Sequence, residues 1–186
     1  MFKRIIFKVS EVFVLFGHSK TSLAIRNKIL NTLGMRIMRN AGIDRGFDCL
    51  NFNTISIGEG TILGINNHFW NYNSIHIGKY CMFSSEITLT NGSHNIETFV
   101  PESKPLMIGH GCWIGHGVKI IKGVTIGNNV IIGGGSVVID DVPDNAIVVG
   151  MPARIIKYRE LPDKVWHLGN EYFCPRTFTL IKDINE

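Results

Sequence analysis

The run Thr90-Asn91-Gly92-Ser93-His94-Asn95 sets one histidine among glycine and small polar residues, a composition that holds an imidazole clear of any packed core. An imidazole so placed suits general-base work, taking a proton from a hydroxyl or amine as it attacks. The plain alternative is a solvent-exposed loop histidine with no chemical task. What separates the two readings is the scaffold behind the loop, and a second pattern in the chain describes it.

From Ile108 an aliphatic residue returns at every sixth position: Ile108, Ile114, Ile120, Ile126, Ile132 and Val138. Helices repeat near 3.6 residues and strands at 2, so a sustained period of six marks a solenoid of short stacked units. Glycine follows the anchor at 109, 115, 127 and 133, and the fourth position after it is small or β-branched: Cys112, Val118, Val124, Val130, Ser136 and Val142. Each unit reads as a short strand and a turn, and three units make one coil, with successive rungs about 4.8 Å apart. The expected fold is an all-β solenoid, a parallel β-helix. Its regular coils are scaffold, which directs the search for chemistry to the places where the period breaks, and His94 lies in such a break.

The organisation follows from those breaks. Residues 1–45 read as an N-terminal amphipathic helical segment, 46–153 as the β-helix with an extruded loop at about 90–107, and 154–186 as a C-terminal helix and arm. Weaker repeats start at Ile57-Gly58 and Leu63-Gly64, and the register slips across Asn66 to Ser74, where Phe69, Trp70 and Tyr72 cluster. The tail is expected to cap the last coil or to pack on a neighbouring subunit, because an uncovered rung exposes unpaired backbone groups.

With 186 residues, 45% hydrophobic content and 20 glycines, the chain supports one cored domain and is not composed like a disordered one. Its four cysteines have no zinc-finger or CxxC spacing, and Cys81 and Cys112 fall at inward repeat positions, as core thiols do. Residues 1–40 carry net charge +7 within a chain of +4, leaving −3 for the rest, which gives no basic surface for nucleic acid. The basic, apolar start fits a cap on the open end of the solenoid, or peripheral contact with an anionic membrane. Its longest pure apolar run, Val12 to Phe16, is too short for a span or a signal core, so a cytoplasmic location is expected.

Cys112-Trp113-Ile114-Gly115, Gly123-Val124-Thr125-Ile126-Gly127, Gly133-Gly134-Gly135-Ser136-Val137-Val138 and Gly150-Met151-Pro152-Ala153-Arg154 resemble, in order and spacing, the hexapeptide acyltransferase superfamily, in its galactoside, maltose and surface-polysaccharide O-acetyltransferase branch. The resemblance covers about residues 55–157. It implies a left-handed β-helix, a homotrimer, and acetyl-CoA as co-substrate in a groove between adjacent prisms. It also implies direct acetyl transfer to a sugar hydroxyl of a surface-polysaccharide or oligosaccharide precursor, with His94 of Gly92-Ser93-His94-Asn95 as the base.

By the same resemblance Trp113 walls the reaction centre, touching both the pantetheine arm and the acceptor. Gly134 and Gly135 admit the pantetheine, Arg154 and Lys157 meet the cofactor phosphates, and Asn71, or alternatively Asn73, holds the acceptor. Either asparagine could instead make a turn hydrogen bond. The chain departs from the family at Ile139-Asp140, where Thr-Lys is common, which removes a hydroxyl and a cation near the expected groove. Three rivals remain: N-acetylation of an amino sugar or antibiotic, a non-catalytic hexapeptide scaffold, and a zinc protein like the γ-class carbonic anhydrases. The last is disfavoured because His110 and His116, six apart, stand on different faces, and no metal is expected.

Overall fold

The computed structural model describes residues 20–167 and 171–181. Lys3, Arg4, Lys8 and the apolar stretch Val12 to Phe16 lie outside the described residues.

Three parallel sheets wall a prism. Face 1 stacks Arg36–Ile37, Ile55–Ile57, Ile75–Ile77, Leu106–Ile108 and Thr125–Ile126; face 2 begins with Gly42–Ile43, Ile62–Leu63, Met82–Phe83, Trp113–Ile114 and Ile131–Ile132. Face 3 stacks Asp48–Cys49, His68–Trp70, Thr88–Thr90, Lys119–Ile120 and Val137–Val138. The anchors meet in register: Ile108 pairs with Ile77 and Ile126, Ile114 with Phe83 and Ile132, and Ile120 with Leu89 and Val138. All of them are buried, as are Cys112, Val118, Val124, Val130, Ser136 and Val142. The six-residue period is thus the repeat of one inward anchor per face.

Glycine at the corner from face 1 to face 2 is a packing requirement. A Cβ on Gly78 would stand 2.4 Å from the Gly109 carbonyl oxygen, and one on Gly58 would stand 2.5 Å from the Gly78 carbonyl carbon. Bare backbones in that column let successive coils keep strand spacing.

The solenoid starts at Arg36, before the boundary expected at 46. Its first coil carries Ile37, Ile43 and Cys49 as anchors with no Ile-Gly pair to signal them. The register slip has a local cause as well. Ile37 stacks on Ile57 and Ile57 on Ile77, a step of 20 residues, whereas Ile108 stacks on Ile126, a step of 18. The extra residues sit at the corner from face 3 to face 1, in Leu50 to Thr54 and Asn71 to Ser74, and the insertion carrying His94 leaves from that same corner one coil later.

Helix α1 (Lys20–Leu33) covers the open first coil. Leu30 and Leu33 join the prism core beside Met35 and Ile37. Asn31 pairs with the exposed strand edge, its Oδ1 accepting from Ile37 N–H at 2.8 Å and its Nδ2 donating to Ile37 O at 3.1 Å. One carboxamide there replaces a missing rung. No helix among the described residues is long and apolar enough to cross a membrane.

The C-terminal arm departs from expectation: it contains strands and, among the described residues, no helix. Ala153–Tyr158 turns back against Ala146–Gly150 to extend face 2, and Val165–Trp166, Tyr172–Cys174 and Thr179–Ile181 form a small antiparallel sheet. β-branched and aromatic residues fill these segments, which favours strand over helix. The arm runs along its own prism, at the corner from face 1 to face 2. Phe173 stacks on Tyr80 with centroids 5.2 Å apart, Phe178 meets His110 at 4.9 Å, and Asn129 Nδ2 donates to Pro175 O at 3.1 Å.

His167 anchors that arm. It is buried, and its Nε2–H donates to the Gly60 carbonyl, while Nδ1 is buried without a hydrogen-bond partner. Burial lowers its pKa below the ordinary 6.5, against weaker opposite effects of the Gly60 hydrogen bond and Glu171. The folded state therefore binds this proton less readily than the unfolded chain. The stabilisation is complete above the unfolded pKa and is lost as pH falls from about 6.5 toward the lower folded value. Protection of the amides of Val165–Trp166 and Tyr172–Cys174, measured by hydrogen exchange relative to the intrinsic rate at each pH, is expected to fall across that window, and a His167→Gln protein should lose that pH dependence.

Candidate active site

The insertion is a hairpin. Gly92–His94 pairs antiparallel with Pro101–Ser103, setting His94 opposite Pro101 and Ser93 opposite Glu102. Asn95 braces its tip: Oδ1 accepts from the N–H groups of Glu97 and Thr98, each at 3.0 Å, and Nδ2 donates to Glu102 Oε1 at 3.3 Å. Asn91 braces its base, accepting from Asn73 N–H and donating to Ser74 O. The histidine is thus exposed on a tied hairpin, and the reading that holds it clear of the core fits its placement.

Two cavities meet at the imidazole. One, of about 620 Å³, is lined by Trp70, Tyr72, Thr90, Ser93 and Glu102 together with His94. The other, of about 310 Å³, places His94 beside Asn91, Ile96, Glu102, Lys104 and Lys122. Trp70 is 48% and Tyr72 64% exposed. Gly92 makes room for the tyrosine, since a Cβ there would stand 2.3 Å from Tyr72 Cδ2. The sequence marked Trp70 and Tyr72 only as an irregular stretch and gave Lys104 and Lys122 no role. The usable signal for the aromatics was their position at the end of a face 3 strand, one coil below the hairpin.

The residues assigned to the cofactor gather elsewhere. Trp113, 49% exposed, lies on face 2, flanked in register by Met82 and Ile131. Arg154 and Lys157 lie on the strand that extends face 2, and Gly134 and Gly135 form the corner from face 2 to face 3. The corner is open at Gly117 and, one coil further along, at Gly135, where a Cβ would meet nothing within 4 Å, while a Cβ on Gly134 would stand 3.2 Å from the His116 carbonyl oxygen. Open space at these glycines is what a flexible thiol arm would need, and Trp113 is an exposed ring on face 2. Arg154 and Lys157 carry the charge that suits phosphates. Arg154 Nη1 lies 3.5 Å from Asp140 Oδ2, so the acid that departs from the family pattern engages one of the two.

His94 and these glycines occupy different corners of one prism. The arm covers the third corner.

Asn71 is not available to an acceptor. It is 2% exposed; its Oδ1 accepts from Leu50 and Asn51 N–H, and its Nδ2 donates to Asn51 O and Thr54 Oγ1. That exhausts a carboxamide, and it repeats one coil earlier the bracing role of Asn91. Asn73 reaches the hairpin instead, with Nδ2 3.3 Å from Ser103 Oγ. His110 and His116, weighed as metal ligands, have other partners, as does His76: His110 Nδ1 accepts from Lys79 N–H, His116 lies 3.7 Å from Glu86, and His76 Nδ1 bonds Ser56 Oγ. Cys81 and Cys112 are sealed in the core, and burial raises the Cys112 thiol pKa well above the ordinary value, so neither is an accessible nucleophile.

Comparison with known proteins agrees with the fold. The family model described as bacterial transferase hexapeptide (six repeats) matches residues 106–140. A maltose O-acetyltransferase from Clostridium difficile 630 superposes with a TM-score of 0.71 at 30% identity, covering 85% of this chain and 86% of that one. A hexapeptide-repeat acetyltransferase from Vibrio cholerae, solved with acetyl-coenzyme A, gives 0.71 at 26% identity over 85% and 87% of the two chains. The galactoside O-acetyltransferase of Escherichia coli K12 is 30% identical over 158 residues, 82% of this chain and 77% of that protein. With a relative 30% identical over most of both lengths, the chain belongs to the hexapeptide-repeat acyltransferase family.

Proposed function

We propose that the protein transfers an acetyl group from acetyl-CoA to a hydroxyl of a saccharide, with His94 as general base. The observation that carries this reading is the exposed imidazole on a braced hairpin, bordering a cavity walled by Trp70 and Tyr72. Aromatic faces stack on the apolar side of a pyranose, and the hydroxyls of Thr90 and Ser93 suit its polar rim. The galactoside and maltose O-acetyltransferases among its relatives support a sugar as acceptor. A surface-polysaccharide or oligosaccharide precursor is the acceptor favoured here.

A sugar hydroxyl is a poor nucleophile until its proton is removed as attack begins. The imidazole accepts that proton, the sugar oxygen forms the new bond to the thioester carbonyl carbon, and the carbon–sulfur bond breaks. The proton then passes to the departing thiolate. Buried Cys81 and Cys112 leave no role for an acyl-cysteine at either position.

The groove at Trp113, Gly134 and Gly135 takes the thioester arm, with Lys157 and Arg154 toward the phosphates. Because His94 stands at another corner, the complete site needs two copies of the chain, as a closed cyclic trimer would supply.

The test is CoA release from acetyl-CoA across a panel of neutral glycosides, acidic glycosides, sugar nucleotides and amino sugars. Acceptor-dependent release with an O-acetylated product is expected. Amine-only acylation, or no acceptor-dependent release, would refute the proposal.

A further inference from the structure

We infer that the smaller cavity beside His94 is an anion subsite, formed by Lys104 and Lys122, and that the acceptor is a saccharide bearing a carboxylate or phosphate next to the acetylated ring. This rests on the proposed acetyl transfer at His94 and names the class of its acceptor.

Three observations carry it. First, both lysines line the cavity of about 310 Å³ that His94 also lines, and neither Trp70 nor Tyr72 does. His94, Ser93, Glu102 and Ser103 border both this cationic chamber and the aromatic one, which fits a pyranose face.

Second, the fold brings these lysines together by a close approach. Lys104 directly follows the return strand of the hairpin, Lys122 lies in the turn one coil further along the same corner, and Gly123 permits their approach: a Cβ there would stand 2.5 Å from the Lys104 carbonyl oxygen. Lys122 itself holds a left-handed φ of 71°, a conformation that long side chains adopt at a cost. An Asn or Gly would fit that backbone more easily, as Asn129 and Asn145 do in other turns.

Third, the acids nearby are committed. Glu102 is the one acidic residue lining the cavity, and its Oε1 accepts from Asn95. Asp141, one coil along the same corner, accepts from Thr125 N–H at 2.7 Å, and Asp140 pairs with Arg154. Among the described residues no ion pair engages Lys104 or Lys122. Two ammonium groups facing one carboxylate leave the chamber positive, which favours an anionic occupant.

The experiment measures binding by calorimetry to the full-length protein, in two arms that separate the sources of the anion. Methyl galacturonoside is compared with methyl galactoside, and galactose 1-phosphate with galactose. At least one anionic probe is expected to bind about tenfold more tightly than its neutral counterpart at low salt, the arm that responds naming the group. The preference should fall to about twofold or less in Lys104→Gln/Lys122→Gln and in about 0.5 M salt, while affinity for acetyl-CoA is unchanged.

Equal affinities within both pairs would overturn the inference. So would a preference that survives both substitutions, or substitutions that weaken acetyl-CoA instead, which would assign the lysines to the donor. Binding preference is read without turnover. A protein that prefers the anionic probe yet releases no CoA with any acceptor would contradict the acetyl-transfer reading and leave the subsite standing.

Discussion

His94→Ala is expected to lower turnover about 10²–10⁴-fold, the usual worth of a positioned general base, while leaving the fold and the affinity for acetyl-CoA unchanged. The separation follows from where the side chain sits. It is exposed on a hairpin whose tip is tied by Asn95 and whose base is tied by Asn91, and it belongs to no part of the core cluster. Truncating it removes no packing. It is also no part of face 2, which carries Trp113, or of the corner formed by Gly134 and Gly135, so every copy of the donor groove keeps its own lining. The loss should therefore appear in kcat with little change in KM for acetyl-CoA. Since the cavities are open to solvent, added imidazole should restore part of the rate. The competing base is Glu102, which lines both cavities. If His94→Ala retains wild-type turnover and Glu102→Gln abolishes it, the assignment passes to the carboxylate.

Much of this was legible in the chain before its coordinates. The six-residue period named the prism because every anchor must point inward once per face, and Ile108, Ile114 and Ile120 do so on faces 1, 2 and 3. The same logic located His94, since an insertion can leave a stacked solenoid only at a corner. Two features were hidden because their cause is contact between distant segments. Asn71 resembled a ligand-holding residue in sequence, yet the corner it occupies needs a buried carboxamide to satisfy Leu50 and Asn51 N–H. The lysines of the second chamber lie 18 positions apart in a chain where 18 is also the length of a coil, but nothing local marks that they share a cavity. The arm was misjudged for a related reason. Its β-branched and aromatic residues favour strand, but the surface they pack on, Tyr80, His110 and Asn129, spans three different coils that are adjacent only once the prism exists.

Two inactive proteins, His94→Ala and Trp113→Ala/Gly135→Asn, are expected to recover activity when dissociated together and reassembled. Each defect lies at a different corner, so a site shared between neighbours can draw an intact His94 from one chain and an intact groove from the other. Random reassembly of equal amounts into a cyclic trimer pairs them at about a quarter of the interfaces, and activity should return to about that fraction of wild type. The groove variant is chosen to fold. Gly135 has φ +70° with open space above its Cα, and asparagine already occupies this backbone region at Asn129 and Asn145, with φ of 56° and 63°. Asparagine tolerates left-handed backbone better than other non-glycine residues, so the substitution fills the groove with little strain. Losing Trp113 removes an exposed face 2 ring rather than a core anchor. The same mixture discriminates the alternative geometry. A site completed within one chain would gain nothing from the partner, and activity would stay at the sum of the two parents. Recovery of about a quarter, abolished by placing all three substitutions on one chain and mixing it with His94→Ala, would establish that the base and the donor groove come from different subunits.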